Sequence, residues 1–436
     1  MRKSLFTIIA AIATFLSGCG GGSSSSSNNQ QPPPPPPPVT GAMATVDFGT
    51  THQTIRGFGG SDAWFSVMPN SAINALFGTG SGQIGLSILR VRIDPSSTTA
   101  GTQWDAELMN ASNAMSAGSG VSIIATPWTP PAAWKINPPN PNQPLWGGSL
   151  DVANHSADYA NYLESYVNYA ANKGVNLYGI SMQNEPDANV TTYEACVWTA
   201  AQMDTWIANN ASVLTTKLIM PESLNFNTSY SDPALNDVNA ASKIGIVAGH
   251  LYGSSPAPYP AAVNAGKELW MTEHYLNLAG AQPTVTDALS AAKEIHDSLT
   301  VGQYNAYVWW WVQDLPSQNS FIGLIDSNNN VKFAGDGMAQ FSRFIRPGYV
   351  RVDAAYSTPN VYVSAYKGNG HFVIVAINMS TSNVSQPFTI QNQSISSMVP
   401  YQTTATSQAA QQSAVSVSGN QFTYTLPAQS ITTFVQ

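Results

Sequence analysis

The chain has 436 residues, of which 43% are hydrophobic, 10% aromatic and only 9% charged, and its formal net charge is −8. This composition excludes a chain that is disordered throughout, because a sequence of this length and apolar content can bury a large core. It also argues against nucleic acid as a partner, since phosphate binding needs concentrated positive charge and Lys and Arg cluster only at the start of the chain.

The first residues have the layout of a secretory signal. A basic start, Arg2-Lys3, precedes the apolar run 5–16, and small residues lead to Cys19. This layout predicts a signal segment over residues 1–18, too short to span a bilayer as a mature helix. Because residues 16–19 resemble a bacterial lipobox, we expect a lipidated Cys19 and a secreted protein anchored at the cell surface or in the periplasm. Ordinary signal cleavage with an incidental cysteine is the alternative.

Residues 19–42 are predicted to be a linker, since Ser-rich sequence gives way to the seven prolines Pro32–Pro38 and hence to stiff polyproline II geometry. If Cys19 carries lipid, Cys196 has no disulfide partner. We expect Cys196 to be a small buried hydrophobe rather than a nucleophile. No Cys and His spacing indicates zinc, so we expect neither a metal nor a cofactor.

Residues 54–347 alternate short apolar runs with helical patterns, which is typical of repeated βα units. Helical spacing runs over Asp158–Ala170, and a second helix is predicted over Asp287–Leu299 with Thr286 as its N-cap. Eight strands with interposed helices predict an α/β fold, a (β/α)8 TIM barrel. The candidate strands are Ile55–Gly59, Ile84–Ile93, Val121–Thr126, Leu177–Met182, Lys217–Met220, Ile244–Leu251, Glu268–Thr272 and Ala306–Trp311.

Residues 348–436 have a different sequence pattern from the segment before them. Alternating apolar residues, separated by polar turns and without helical spacing, predict an antiparallel β domain beside the barrel. Residues 43–53 are expected to supply the first strand of this side domain, with Ala44–Phe48 as an edge strand.

Two acidic motifs follow apolar runs of the predicted barrel. Asn184-Glu185-Pro186-Asp187 follows the fourth strand, and Thr272-Glu273-His274-Tyr275 ends the seventh. Carboxylates at these strand ends can reach the central cleft, where burial and neighbours push two similar pKa values apart. This arrangement predicts the carboxylate pair of glycoside hydrolysis. Asn184 can hydrogen-bond a sugar hydroxyl, and Arg90 can keep Glu273 ionised.

From about Phe48 to its C-terminus, the chain resembles glycoside hydrolase family 30, and within it the bacterial xylanase branch. The resemblance implies a side β-sandwich, Glu185 as the acid/base, Glu273 as the nucleophile, Asn184 as the partner of the 2-hydroxyl group and Arg90 as a support for Glu273. It also implies aromatic cleft residues. The segments that carry the resemblance are 56–60, 88–95, 126–132, 183–186, 272–275, 307–311 and 341–349. The expected cleft aromatics are Trp64, Trp128, Trp134, Tyr252, Tyr275 and Trp309.

The strand-eight motif continues as Trp310-Trp311. Because adjacent strand residues point to opposite faces, one of these two tryptophans is expected to be core. Glucuronoxylan-specific members carry an Arg shortly after this pair, whereas this chain has Gln313 and Asp314. Asp314 is expected to repel a uronate, with Lys332 or Lys367 as the candidate replacement cation.

The sequence therefore predicts a retaining endo-β-1,4-xylanase, expected to be a monomer, that cleaves xylan or xylo-oligosaccharides without depending on glucuronate. Other family 30 activities are the alternatives: a glucuronoxylanase, a xylobiose-releasing exo-enzyme, a β-1,6-glucanase or a β-glucosidase. Loops 256–260 and 317–320 are expected to decide among them. A non-catalytic surface protein that binds glycans is a further alternative, disfavoured by the presence of both Glu185 and Glu273.

Overall fold

The structure, a computed structural model, describes residues 37–276 and 283–436. The predicted signal segment 1–18 and the predicted lipidation site Cys19 lie outside these ranges, as does most of the predicted linker 19–42. Within the two described ranges, no helix combines the length and the apolar character that a membrane crossing requires.

Eight parallel strands close into a barrel, which confirms the predicted fold class. Short apolar runs form these strands because each is buried by helices outside and by its neighbours inside. All eight predicted strands are present, with ends that differ by a few residues. In chain order, barrel strands 1 to 8 are Gly57–Ser61, Ile88–Arg92, Ser122–Thr126, Leu177–Ser181, Lys217–Ser223, Ile244–His250, Glu268–His274 and Ala306–Trp309.

Both predicted helices exist and are longer than predicted. The first spans Val152–Asn172. The second spans Val285–Thr300 and has Thr284, rather than Thr286, as its N-cap, because the Thr284 N–H donates to Asp287 Oδ2 at 3.0 Å. The remaining α-helices are Asn70–Phe77, Asp105–Ala117, Ala200–Asn210, Asp232–Asn236, Val238–Ala241, Pro260–Asn264 and Phe333–Ser342. Short 3-10 turns occupy Thr102–Trp104, Ala132–Trp134, Ala211–Val213, Thr228–Tyr230 and Pro316–Gln318.

The barrel interior is filled by apolar side chains from its strands, among them Ile88, Ile124, Ile246, Trp270 and Val308. Residues on the opposite face of each strand join a larger cluster between the barrel and its helices. Cys196 belongs to that larger cluster and is fully buried, as predicted. Burial raises the pKa of the Cys196 thiol to about 12, so the residue is not a nucleophile at neutral pH.

The side domain is one curled sheet of eleven strands, mostly antiparallel, around its own apolar core. Its strand Ala44–Thr54 pairs with Val384–Gln391 on one side and Val350–Ala355 on the other. It is therefore an interior strand, and the expected edge position was wrong. The strand Val384–Gln391, from the C-terminal part of the chain, covers the side that was expected to be free. The other strands are Val39–Thr40, Val361–Gly368, His371–Asn378, Ser397–Thr404, Ser407–Gln411, Val415–Ser416, Gln421–Leu426 and Ser430–Val435. A two-stranded ribbon, Lys135–Ile136 with Ser149–Leu150, lies outside both sheets.

Buried hydrogen bonds join the barrel to the side domain. Gln340, on helix Phe333–Ser342, donates through Nε2 to Thr403 Oγ1 at 2.8 Å. Its backbone carbonyl accepts from Thr433 Oγ1 at 2.7 Å. These contacts fix the side domain against helices on the outside of the barrel, while the carboxyl ends of the strands remain available for a site.

Candidate active site

The two predicted catalytic glutamates lie together at the carboxyl-terminal end of the barrel. Glu273 belongs to barrel strand 7, and Glu185 lies shortly beyond the end of barrel strand 4. One carboxylate oxygen of each glutamate and one ring nitrogen of His250 all lie within 4.8 Å of one another. Both glutamates are only 5% exposed. Strands 4 and 7 thus bring two carboxyl groups, distant in sequence, into one desolvated site.

The backbone at Glu185 is held in a strained conformation. Its φ of +43° lies in the left-handed region, which costs a non-glycine residue about 1–3 kcal/mol. Two hydrogen bonds hold the chain there: the Glu185 N–H donates to the Glu222 carbonyl, and the Asn184 N–H donates to the Pro127 carbonyl, both at 2.9 Å. Neighbouring strand ends therefore fix the direction in which Glu185 leaves barrel strand 4.

Arg90, in the middle of barrel strand 2, links the site together. Its Nη1 donates to Glu273 Oε2 at 2.6 Å, and its Nη2 donates to Asn184 Oδ1 at 2.7 Å. Its Nε lies 3.3 Å from Glu222 Oε1. Since Asn184 Oδ1 is occupied by Arg90, the amide nitrogen of Asn184 is the group left to bind a sugar hydroxyl.

Glu273 is held by a second donor and by opposing electrostatic effects. The Tyr252 hydroxyl donates to Glu273 Oε1 at 2.9 Å. Burial raises the pKa of Glu273 above its usual value, while the positive charges of His250 and Arg90 act against that rise. The ionised form that a nucleophile needs thus depends on these two cations.

His250 and Glu222 belong to the site although the sequence reasoning missed them. His250 Nδ1 lies 2.9 Å from Glu185 Oε1, and His250 Nε2 lies 3.9 Å from Glu222 Oε1. Burial alone would lower the pKa of His250, but the surrounding carboxylates, Glu273 foremost, raise it to about 9. Burial alone would raise the pKa of Glu222, but Arg90 and His250 hold it at about 2. Their positions at the carboxyl ends of barrel strands 5 and 6 are the signal that could have found them.

The grouping of Glu185, His250 and Glu273 has the compactness of a metal site but not its chemistry. A histidine ligand must be neutral to offer a ring lone pair to a metal. His250 is a cation at neutral pH, and Arg90 already occupies Glu273 Oε2. His250 is therefore hydrogen-bonded to Glu185, and Glu273 to Arg90, which is not the arrangement of a free ligand set.

A cleft of about 600 Å³ opens above the two glutamates. Trp64, Trp128, Tyr252 and Tyr275 line it, where the sequence placed them. The Trp64 ring packs 5.0 Å from that of Trp128, so the two form a continuous aromatic wall. Flat rings of this kind pack on the C–H faces of sugars. Gln318, in the predicted cleft loop 317–320, also lines it. The cleft further includes residues that were not predicted from the sequence: Trp146, Thr192, Tyr193, Glu194, Leu224, Trp310 and Trp311.

Two of the expected cleft aromatics lie elsewhere. Trp309 is fully buried and donates through Nε1 to the Ile322 carbonyl at 2.8 Å. Since Val308 points into the barrel interior, strand alternation turns Trp309 outward to the helices. Trp134 stacks against His155, with ring centroids 5.9 Å apart, rather than lining the cleft.

Trp310 and Trp311 both line the cleft. Each is also only 9% exposed and belongs to the large apolar cluster, so the expected core role of one of them does not keep it out of the cleft. Barrel strand 8 ends at Trp309, so strand alternation no longer applies to these two residues. Their rings stack with centroids 4.8 Å apart, which places them on one side of the chain.

Asp314 does not face the cleft as an unpaired charge. Both of its carboxylate oxygens accept hydrogen bonds from Lys332 Nζ, at 2.8 and 3.0 Å. Lys367 lies in the side domain, where its ammonium group donates to the Phe48 carbonyl at 2.5 Å. The expected repulsion by Asp314 was therefore wrong, and neither lysine supplies a cation to the cleft.

A closed parallel barrel with two buried glutamates and an aromatic cleft at its carboxyl end defines the chain as a barrel glycoside hydrolase. Residues 95–267 match the glycosyl hydrolase family 30 TIM-barrel domain. The chain is 38% identical over 416 residues to glucuronoxylanase XynC of Bacillus subtilis strain 168, with 90% of this chain and 91% of the relative covered. The chain belongs to glycoside hydrolase family 30.

Two solved structures are similar over nearly their whole length. The glycoside hydrolase family 30 subfamily 8 xylanase Xyn30A from Clostridium acetobutylicum has a TM-score of 0.82 and 42% identity, covering 90% of this chain and 99% of that one. A family 30 endoxylanase from Clostridium papyrosolvens C71 has a TM-score of 0.81 and 39% identity, again covering 90% and 99%. The similarity spans the barrel and the side domain alike.

Proposed function

We propose that the protein is a retaining endo-β-1,4-xylanase that hydrolyses xylan without requiring glucuronate side chains. The observation that carries this proposal is the pairing of Glu185 and Glu273, with carboxylate oxygens within 4.8 Å of each other. Retaining enzymes have their two carboxyl groups about 5–5.5 Å apart, whereas inverting enzymes need a wider gap that admits water.

The two glutamates would act in two steps. Glu273 attacks the anomeric carbon while the glycosidic bond breaks, and the leaving oxygen takes a proton from Glu185. Water then attacks the glycosyl-enzyme, Glu185 takes a proton from that water, and the bond to Glu273 breaks. Arg90 and Tyr252 hold the nucleophile through both steps, since each donates to one oxygen of Glu273. No step in this mechanism needs a cofactor.

Xylan is the proposed substrate because the similar proteins are named for it. The Bacillus subtilis relative is a glucuronoxylanase, and both Clostridium structures are xylanases. The cleft suits a neutral polysaccharide, since tryptophan and tyrosine rings line it around the two glutamates.

The charges of the cleft support independence from glucuronate. Among the described residues that line it, the acidic side chains are Glu185, Glu194 and Glu273, and none is Lys or Arg. Arg92 lies behind Glu194 and is paired with it through Nε at 2.8 Å. A uronate would thus meet no free cation among the described residues of the cleft and would gain no charge-assisted hydrogen bond from them.

We also propose that the mature chain is a secreted, lipid-anchored monomer. The support is the sequence that ends at Cys19, together with the Ser- and Pro-rich linker after it. Metabolic labelling with a radioactive fatty acid tests the anchor: the wild-type chain is expected to take up label, and the Cys19→Ala chain is not.

Product analysis tests the catalytic proposal. The purified protein is incubated with linear xylo-oligosaccharides and, separately, with glucuronoxylan, and the products are separated by chromatography with mass detection. Neutral products from both substrates are expected, in several lengths if cleavage is internal. Acidic products from glucuronoxylan alone would contradict glucuronate independence. A lack of products from either substrate would contradict xylanase activity.

A further inference from the structure

His250 lies between the proposed acid/base and a third buried glutamate. Its Nδ1 faces Glu185 Oε1 at 2.9 Å, and its Nε2 faces Glu222 Oε1 at 3.9 Å. The side chains of His250 and Glu222 are both fully buried. Within the described residues, His250 Nε2 and Glu222 Oε1 have no hydrogen-bond partner. The two therefore face each other as charges, and Glu222 Oε1 also lies 3.3 Å from Arg90 Nε. The reaction scheme above gives neither residue a task in proton transfer.

The geometry at Glu185 decides which oxygen carries the acidic proton. Oε1 faces His250, whereas Oε2 lies 3.5 Å from the hydroxyl of Tyr193, a residue that lines the cleft. A hydrogen on His250 Nδ1 makes Oε1 an acceptor, so the carboxyl proton stays on Oε2. If Nδ1 carried no hydrogen, it would be an acceptor, and the carboxyl proton of Glu185 could lie on Oε1 instead. There the proton would be hydrogen-bonded to His250 and would point away from the substrate.

We propose that His250 is a positioning residue that keeps the transferable proton of Glu185 on the cleft-side oxygen, and that Glu222 keeps Nδ1 of His250 protonated. This inference rests on the proposed function, because it assigns a task within the same two-step reaction.

The charges around His250 support this assignment. Before the first step, the carboxylates of Glu222 and Glu273 act on the ring, and Glu185 adds a third negative charge when it is ionised. Burial is too weak to reverse their effect. The pKa of His250 is raised to about 9, so both ring nitrogens carry hydrogens at neutral pH. Tyr252 is a further polar neighbour, with its ring centroid 6.2 Å from that of His250, and the Asp187 carboxyl group also lies within electrostatic range of the ring.

The protons balance over the two steps. When the glycosidic bond breaks, its electron pair goes to the leaving oxygen, which takes the proton from Glu185 Oε2. The carboxylate that remains lies beside the His250 cation, which stabilises it in the buried site. When water attacks the glycosyl-enzyme and the bond to Glu273 breaks, a proton from the water moves to Glu185 Oε2, because Oε1 still accepts a hydrogen bond from His250.

Leaving-group dependence tests the inference. A linear xylo-oligosaccharide needs a protonated leaving oxygen, whereas a 2,4-dinitrophenyl β-xylobioside does not. The steady-state kcat on the first substrate and the burst of dinitrophenol release from the second are measured for the wild type and for the variants His250→Phe, His250→Asn and Glu222→Gln. Phe removes the donor, while the Asn side-chain nitrogen takes the place of Nδ1 and keeps it. Circular dichroism checks that each variant is folded.

We expect His250→Phe and Glu222→Gln to lower kcat on xylo-oligosaccharides by about tenfold or more, and the dinitrophenol burst rate by less than about threefold. His250→Asn is expected to recover most of the loss. Equal losses on both substrates would overturn the inference, because they would indicate a role in packing or in keeping Glu273 ionised rather than in proton transfer. Unchanged hydrolysis of xylo-oligosaccharides would overturn it too, as would a His250→Asn variant no better than His250→Phe.

The same experiment separates this inference from the proposed function. If the wild type cleaves neither substrate, or if Glu185→Gln lowers both activities equally, the proposed function itself fails. If the wild type is active and Glu185→Gln shows the expected leaving-group dependence, only the role of His250 and Glu222 is in question. Should His250→Phe not fold, Glu222→Gln and His250→Asn still give the test.

Discussion

Lys332 and Asp314 form a buried ion pair behind the cleft, in which one ammonium group donates to both carboxylate oxygens, at 2.8 and 3.0 Å. The same ammonium group donates to the Phe321 carbonyl at 2.7 Å, and Asp314 accepts from the Gly323 N–H at 2.8 Å. The pair therefore fastens the loop after barrel strand 8, and its charges are satisfied within the protein.

The Lys332→Met variant is expected to lose stability rather than to change its substrate. Removing one partner leaves the Asp314 carboxylate buried and unpaired, which costs about 3–5 kcal/mol. Urea unfolding gives the free energy of unfolding. The double variant Asp314→Leu, Lys332→Met is the control, because it removes both charges and is expected to recover much of the loss. A single variant as stable as the wild type would contradict the pairing.

Glu273→Gln is expected to abolish turnover while leaving binding intact. Glutamine has nearly the same shape as glutamate but is a poor nucleophile, so the cleft still accepts substrate and the first step fails. Isothermal titration with a xylo-oligosaccharide measures binding, and reducing-sugar release measures turnover. Substantial hydrolysis by this variant would remove Glu273 from the mechanism.

Arg90→Met is expected to move the acidic limb of kcat/KM to higher pH. The nucleophile must be ionised, and burial already raises the pKa of Glu273; losing the Arg90 cation raises it further. Activity is therefore lost at a higher pH than in the wild type as pH falls. Arg90→Lys keeps the charge and is expected to show a smaller shift. An acidic limb that stays in place in both variants would contradict the role of Arg90.

Substitutions of two neighbouring tryptophans are expected to affect different properties, stability for Trp309 and substrate binding for Trp310. Trp309→Phe loses a buried hydrogen bond to the Ile322 carbonyl and should lower the free energy of unfolding by about 1–3 kcal/mol, with KM little changed. Trp310→Ala, at the cleft, should mainly raise KM for xylo-oligosaccharides. Thermal unfolding and steady-state kinetics on both variants measure this contrast. A raised KM in Trp309→Phe alone would contradict the placement of the two rings.

Adding a cation to the cleft is expected to favour acidic xylan. Gln318 is exposed and lines the cleft, so Gln318→Arg offers a uronate a partner that is worth about 1 kcal/mol or less. The ratio of kcat/KM on glucuronoxylan to that on linear xylan should rise by up to about fivefold, the equivalent of that energy. Gln318→Met, which adds no charge, is the control. If this ratio is the same for Gln318→Arg as for Gln318→Met, uronates do not reach this position.

The barrel could be predicted from sequence because each strand is an apolar run between polar turns, a local pattern. The same holds for Glu185, which lies shortly beyond such a run, and for Glu273, which lies near the end of one. Side-chain direction could not be predicted where a strand ends: barrel strand 8 stops at Trp309, so alternation fails for Trp310 and Trp311.

Contacts between residues that are distant in the chain could not be predicted from the sequence either. Nothing local connects Asp314 with Lys332, because the loop between them determines that contact. Nor does anything local connect His250 with Glu222 and Glu185, since three strand ends bring them together. The contacts of His250 with Glu222 and Glu185 determine how the active site is charged. The sequence therefore predicts which residues lie in the site better than it predicts their charges.

Trapping the glycosyl-enzyme tests the central claim most directly. A 2-deoxy-2-fluoro-β-xylobioside with a dinitrophenolate leaving group reacts with the nucleophile, and the fluorine slows the second step, so a retaining enzyme accumulates a covalent adduct. After proteolysis, mass spectrometry locates the added sugar. We predict a single adduct on Glu273. An intact enzyme without adduct, or an adduct on Glu185 or on the third buried carboxylate, Glu222, would contradict the account.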